Sequence, residues 1–261
     1  MNSLARQILG KLRVLVVDDH QINRDFLQAG LFGLVAEVVV VDDGQTAVDL
    51  CKTEHFDVIL MDLHMPRMDG LSACQRIRQS GTASENACIL ILTADARPEA
   101  QNEQPDECGA NGYLSKPAGI QKVAYAIIEQ LAPGTPFHQQ LALDEGETRL
   151  IAPERALESA NGDPDLVQRM GRMFAKELEE KLPLLDAMME RGELPQALKI
   201  IHQWKGSCGF AGTSRLHHAC ENLHRSLSHP NTQSVGSAYV EFVRTAHATR
   251  QALQNVNAVE P

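Results

Sequence analysis

Apolar and polar positions follow two different patterns along the chain. Up to about residue 131, short runs that are apolar throughout alternate with stretches of helical spacing. The runs RVLVV (13–17), EVVVVDD (37–43), FDVILMD (56–62) and ACILILTA (87–94) read as strands, and GANGYLSKP (109–117) holds a short fifth one. Between and after them INRDFLQAGLFG, GQTAVDLCKTEH, PRMDGLSACQRIRQS and GIQKVAYAIIEQL read as helices, with a further polar helix near 98–108. Strands with no polar alternation, separated by helices, predict a parallel sheet covered on both faces.

The pattern then changes. APGTPFHQQLALDEGETRL (132–150) is rich in Pro, Gly and polar residues and reads as linker, with some helix at FHQQLAL. Beyond it only helical spacing is found, in PERALESA, a long segment from Asp163 to Gly192, LPQALKIIHQWKGSCGFAG, TSRLHHACENLHRSL and VGSAYVEFVRTAHATRQALQ. Pro164 suits a first turn, Gly192 a helix end, and Pro183 marks an expected kink. Amphipathic helices joined by short loops predict an all-α bundle. The expected boundaries are residues 11–132, a linker over 133–149, and 150–256.

Composition narrows the function. The formal net charge is -10, with 10 Lys or Arg against 18 Asp or Glu in residues 11–131 and 13 against 16 in 132–261. Neither part has the basic field of a nucleic-acid binder, so direct contact with nucleic acid is not expected. The six cysteines show no paired short spacing and sit in apolar runs, as in a reducing compartment. The opening MNSLARQILGKLR lacks the apolar core of a signal peptide and reads as running straight into a strand. No stretch approaches the roughly 18 apolar residues of a membrane span. A cytoplasmic chain without membrane contact is expected, standing alone or as the cytoplasmic end of a longer membrane protein.

Ligands of a parallel α/β sheet gather at the carboxyl ends of its strands. Asp18 and Asp19 follow the first strand, Asp62 ends the third, Thr93 ends the fourth and Lys116 follows the fifth. Three carboxylates on one edge repel one another and call for a hard cation, for which Mg2+ is suited. If Asp62 attacks a phosphoryl group, the ion and Lys116 offset the charge on the transferring oxygens and the Thr93 hydroxyl donates to one of them.

In the helical part, a wheel at about 100° per residue puts Ala197, Ile200, Ile201, Trp204, Cys208 and Ala211 on one side as the core face. His202, Lys205, Gly206 and Gly209 fall opposite, which predicts an exposed histidine with Lys205 and Gly206 beside it. Two exposed helical glycines cost roughly 1 kcal/mol each against alanine; close approach of another protein to the imidazole is a return on that cost. His202, His217, His218, His224 and Cys220 also raise the question of zinc, but no four-ligand geometry is evident among them.

VLVVDDHQINR, ILMDLHMPRMDG and LSKP resemble the response-regulator receiver family over residues 13–131, most closely the receivers embedded in hybrid histidine kinases. The resemblance implies a flavodoxin-like fold with five parallel strands. It implies Asp62 as phosphoacceptor, Mg2+ held by Asp18, Asp19, Asp62 and the backbone carbonyl of His64, and Thr93 and Tyr113 as switch residues. It further implies Lys116 before a cis Pro117, with Met65-Pro66 and Asp69-Gly70 shaping the loop after Asp62. His20 stands where many relatives carry Asn. Likewise His202-x-x-Lys205-Gly206, with Gly212 ten residues after the histidine, resembles the histidine phosphotransfer family, as do NGDPDLVQRM and LHHACENLHRSL. That resemblance implies a four-helix bundle with His202 as a second phosphoacceptor, supported by Lys205, Gly206 and Gly212, and Leu198 in an apolar docking patch. Ile201 replaces the usual small residue.

Together these readings predict a phosphorelay from an upstream histidine kinase core to Asp62, then His202, then a downstream response-regulator receiver. No ATP-binding kinase segment is recognised. The competing readings are a docking module regulated by Asp62 phosphorylation without relay through His202, and a scaffold that carries no phosphate.

Overall fold

The computed structural model describes residues 3–79, 81–93, 108–133, 150–228 and 232–258. The chain divides into two compact units, residues 1–141 and 142–261. The helix expected near 98–108, apart from its last residue, and the linker from 134 to 149 with its helix at 137–143 lie outside the described residues.

The first unit contains β1 (Arg13–Val17), β2 (Glu37–Val41), β3 (Val58–Asp62), β4 (Cys88–Thr93) and β5 (Gly112–Ser115). They form one sheet in the order β2-β1-β3-β4-β5, every pair parallel. Helices α1 (Ser3–Leu9), α2 (Gln21–Leu31), α3 (Gly44–Thr53), α4 (Gly70–Gln79) and α5 (Ile120–Leu131) accompany it. All residues of β3 and β4 are buried. Strand side chains alternate between faces, so Leu15, Val17, Ile59, Met61, Ile89 and Ile91 join one core with Ala47, Val48 and Cys51 of α3 and Ala73, Cys74 and Ile77 of α4. The other set, including Val14, Val16 and Leu60, is equally buried, on the side where α2 and α5 meet. Asp43 starts α3 by accepting from the amides of Gln45 and Thr46 at 2.8 and 3.0 Å.

One element departs from the sequence reading. Residues 3–9 do not run straight into a strand; they form α1, which packs on α5 with Ala5 and Leu9 fully buried. Two apolar positions four apart are enough when tertiary contact supplies the stability that a seven-residue helix lacks alone.

The second unit holds α6 (Pro153–Ser159), α7 (Pro164–Arg191), α8 (Leu194–Phe210), α9 (Ser214–Ser228) and α10 (Thr232–Ala258). Helices α7 to α10 each pack on two of the others in a closed ring, a four-helix bundle, while α6 lies against α7 and α8. Asp163 caps α7 by accepting from the Leu166 amide at 3.0 Å, Pro164 occupies the first turn, and Gly192 ends it at φ 71°. The helix is continuous through Pro183. Trp204 is fully buried, stacked on Phe242 with ring centroids 5.9 Å apart. Its indole N–H donates to Glu177 Oε1 at 3.2 Å, and Lys181 pairs with the same oxygen, so the buried carboxylate is satisfied.

Gly212 joins α8 to α9 at φ 62°, where a Cβ would lie 2.4 Å from the Ala152 carbonyl oxygen. Its own carbonyl accepts from the Ala152 amide at 2.7 Å. Gly212→Ala is therefore expected to destabilise the bundle by roughly 1–3 kcal/mol, read as a lower urea midpoint of the helical unit with the receiver transition unmoved.

Candidate functional site

The sheet order places β1 and β3 side by side at its centre, so the residues after their carboxyl ends share one edge. Asp18, directly after β1, is fully buried. Its Oδ1 accepts from the His20 amide at 2.9 Å, and Asn23 Nδ2 reaches both carboxylate oxygens at 3.1 and 3.0 Å. Arg24 ties down the Asp18 carbonyl at 2.7 Å. Asp62, the last residue of β3, is 2 % exposed. Asp19 is half-buried, and oxygens of Asp18, Asp19 and Asp62 lie within 4.8 Å of one another. This donor set, three carboxylates and no nitrogen or sulfur, fits a hard divalent cation.

Lys116 follows β5 and its side chain enters the same pocket, with Nζ 2.7 Å from Asp18 Oδ2 and 2.8 Å from Asp62 Oδ1. Burial alone would lower the lysine pKa, but Asp18 and Asp62 hold the ammonium above its usual range. Burial also opposes ionisation of Asp18, yet Lys116 and His20 keep it below the ordinary carboxylate value. Asp62 goes the other way: burial, then the neighbouring Asp18 and Asp19, push it up to about 7 against the pull of Lys116. The pocket thus holds one firmly charged carboxylate and one whose charge is costly.

The remaining expected residues fall around this edge. Thr93 ends β4 and is buried, Tyr113 lies in β5 and packs on the α3–α4 core, and the Lys116-Pro117 bond is cis. Pro66 and His64 are exposed on the loop after Asp62. Gly70 is required by close approach: a Cβ there would lie 2.3 Å from the Asp62 carbonyl oxygen. Asn23 and Arg24, to which the sequence reading gave no role, hold Asp18 in place. Their spacing of five and six from Asp18 puts them on the first turn of α2, pointing back at the strand end.

In the bundle the core face of α8 is as the wheel placed it, from Ala197 to Ala211, all buried. The opposite side corrects the sequence reading: His202, Lys205 and Gly209 are half-buried and Gly206 is buried. In a four-helix bundle α8 has a second neighbour, which a single-helix wheel cannot locate. That neighbour is α9. The His202 ring lies 6.4 Å from the His224 ring, tilted by 49°, and its Nε2 is buried. Lys205 Nζ pairs with Glu221 Oε1 at 3.1 Å. Burial opposes ionisation of Glu221, but His217 and Lys205 hold its pKa below the usual value. Leu198 is half-buried on the same helix. Glu221 escapes the sequence reading, which names His224 only among residues that raise the question of zinc, because only the register of α9 against α8 brings the two to the histidine.

Residues 14–128 match the profile of the response regulator receiver domain, and residues 169–258 that of the Hpt domain. The signal transduction histidine-protein kinase BarA of Escherichia coli K12 is 30% identical over 223 residues, covering 83% of this chain and 24% of the relative. The sensor protein GacS of Pseudomonas syringae pv. syringae is 30% identical over 230 residues, covering 85% and 25%. The chain therefore spans about a quarter of the length of these relatives. Among solved structures, the receiver domain of a sensor histidine kinase from Pseudomonas aeruginosa PAO1, described with a magnesium ion in its active site cleft, is 30% identical. It covers 46% of this chain and 97% of its own, with a TM-score of 0.41. The chain belongs to the two-component phosphorelay proteins, with a response regulator receiver domain followed by an Hpt domain.

Proposed function

We propose that Asp62 accepts a phosphoryl group from a histidine of an upstream kinase core, passes it to His202, and that His202 delivers it to the receiver aspartate of a separate response regulator. The observation that carries this reading is the buried Lys116 ammonium held between Asp18 and Asp62. A fixed cation at the reacting carboxylate is what a transferring phosphoryl group requires. In the first step an Asp62 oxygen bonds to phosphorus while the P–N bond breaks, its electron pair returning to the donor ring, which is protonated on its other nitrogen and so leaves as neutral imidazole. In the second, a nitrogen of neutral His202 bonds to phosphorus, the P–O bond breaks, and the Asp62 carboxylate is restored.

Asp18, Asp19, Asp62 and the His64 backbone carbonyl would hold Mg2+, which when bound offsets negative charge on carboxylate and phosphoryl oxygens. Thr93 donates its hydroxyl to a phosphoryl oxygen, and Tyr113 follows Thr93 between two rotamers. Pro66, Gly70 and Pro117 hold the loops of the first pocket. Lys205 balances the phosphoryl group on His202, and Gly206 and Gly212 keep helix surfaces close. We assign the receiver to residues 11–132, the linker to 133–149 and the phosphotransfer domain to 150–256. A cytoplasmic setting agrees with six free, buried cysteines, and among the described residues no helix is long and apolar enough to cross a membrane. Partners are proteins of the relay, with no contact to nucleic acid or membrane.

A second reading, a docking module controlled by Asp62 alone, draws on the burial of His202 Nε2 beside His224. Transfer from a phosphorylated kinase core in Mg2+ separates the two. The relay predicts acyl phosphate and phosphohistidine in the wild type, neither in Asp62→Asn, and acyl phosphate only in His202→Gln. A wild type that carries acyl phosphate but no phosphohistidine overturns the relay and leaves the docking module.

The Asp62 carboxyl yields a further prediction. Its pKa lies above the unfolded value, so the folded state binds the extra proton between about pH 4 and pH 7, and the stability this contributes is lost as pH rises through 7. Without divalent cation, Asp62→Asn should be more stable than wild type at pH 8, by roughly 1–2 kcal/mol, and the gain should vanish at pH 5. Adding Mg2+ at pH 8 should raise the wild-type Tm well above any effect on Asp62→Asn.

A further inference from the structure

A second cluster of metal-ligating side chains lies outside the acidic pocket, on α9. His217 and Glu221 are four residues apart and His218 and Glu221 three, so the carboxylate sits on the helix surface between two imidazoles that would otherwise diverge by about 100°. Both rings turn Nδ1 toward the same oxygen: Glu221 Oε2 is 4.0 Å from His217 Nδ1 and 3.8 Å from His218 Nδ1. One ligand atom from each of the three residues lies within 4.8 Å of the others. A zinc ion about 2.0–2.2 Å from each nitrogen and oxygen spans ligand pairs roughly 3.4 Å apart in a tetrahedron, so rotation of the exposed His218 and small shifts of the half-buried His217 and Glu221 close the site.

One further observation points to a ligand here. The separations of 4.0 and 3.8 Å are too long for direct hydrogen bonds, which leaves the space between the two Nδ1 atoms and Oε2 for a bridging ion. The buried His217 Nε2 lies on the other side of its ring and takes no part in the site. His218, in contrast, is mostly exposed, with 62% of its side chain open, which leaves an entry path and room for a water as fourth ligand.

We propose that His217, His218 and Glu221 form a site for a borderline divalent transition metal of the zinc type, distinct from the all-oxygen pocket at Asp62. Two nitrogens and one carboxylate oxygen select zinc over Mg2+, which prefers oxygen alone. The site shares Glu221 with Lys205, the metal on Oε2 and the ammonium on Oε1, so the two cations compete for one carboxylate. The proposal stands whether or not His202 carries phosphate.

The test is calorimetric titration of zinc into the whole untagged chain, in excess Mg2+, with ring 15N spectra of the histidines. One zinc should bind to wild type and equally to Asp62→Asn, shifting the His217 and His218 resonances. The exposed-site variant His218→Ala and the isosteric Glu221→Gln should each weaken it at least about tenfold, the loss typical even of an outer-shell partner. Lys205→Gln should strengthen it by removing the competing charge. Loss of zinc binding in excess Mg2+ or in Asp62→Asn would assign the metal to the acidic pocket. Undiminished binding in both His218→Ala and Glu221→Gln would place it on other histidines; either result overturns the site.

Discussion

One ammonium, Lys116 Nζ, neutralises two carboxylates that the sheet has carried into its interior at 2.7 and 2.8 Å. Much of the first unit serves that contact. Asp18 and Asp62 are adjacent because β1 and β3 are adjacent, and they are buried because β3 and β4 are covered on both faces. The cost of burying charge is met unevenly. Asp18 has Lys116, the His20 amide and Asn23 around it, whereas Asp62 has Lys116 and, beyond it, further negative charge. A carboxylate left so poorly compensated gains from any process that brings positive charge to it, which is the position of a group that binds a cation.

The second unit concentrates its chemistry on fewer groups. One imidazole, one ammonium and one carboxylate lie along the α8–α9 seam, and Glu221 holds Lys205 in reach of the His202 turn. The bundle is anchored elsewhere, through Trp204, Phe242 and the buried Glu177. Changes at the seam can therefore alter the histidine without unpacking the core. This division fits a carrier that borrows the catalytic pocket of whichever receiver faces it.

The grouping of the acidic residues with Lys116 was readable because strand ends of a parallel sheet share an edge whatever the loops do. Placing Asp18, Asp62, Thr93 and Lys116 in sequence was equivalent to placing them in space. The core face of α8 was readable for a similar reason, since one helix period fixes which residues point together. What escaped depends on contacts between elements. Helix α1 owes its existence to α5; the burial of Gly206, the partner Glu221 and the approach of the His224 ring to His202 depend on how α9 is set against α8. A wheel sorts residues by direction, but a bundle helix has two neighbours, and the side opposite the main core need not face water.

The sharing of Lys205 follows from that seam. In the resting protein its ammonium is committed to Glu221, whose pKa His217 and Lys205 together hold down. A phosphoryl group on His202 adds a second, more highly charged acceptor one helical turn away. Lys205 must then divide its hydrogen bonds between the two anions, and the more negative one takes the larger share. Glu221 is left with the neighbouring imidazoles of His217 and His218; burial pushes the His217 pKa down to about 4, so that ring offers a neutral nitrogen. The same carboxylate thus links the proposed phosphorylation of His202 to the state of the histidine pair on α9, because one carboxylate balances only one full positive charge.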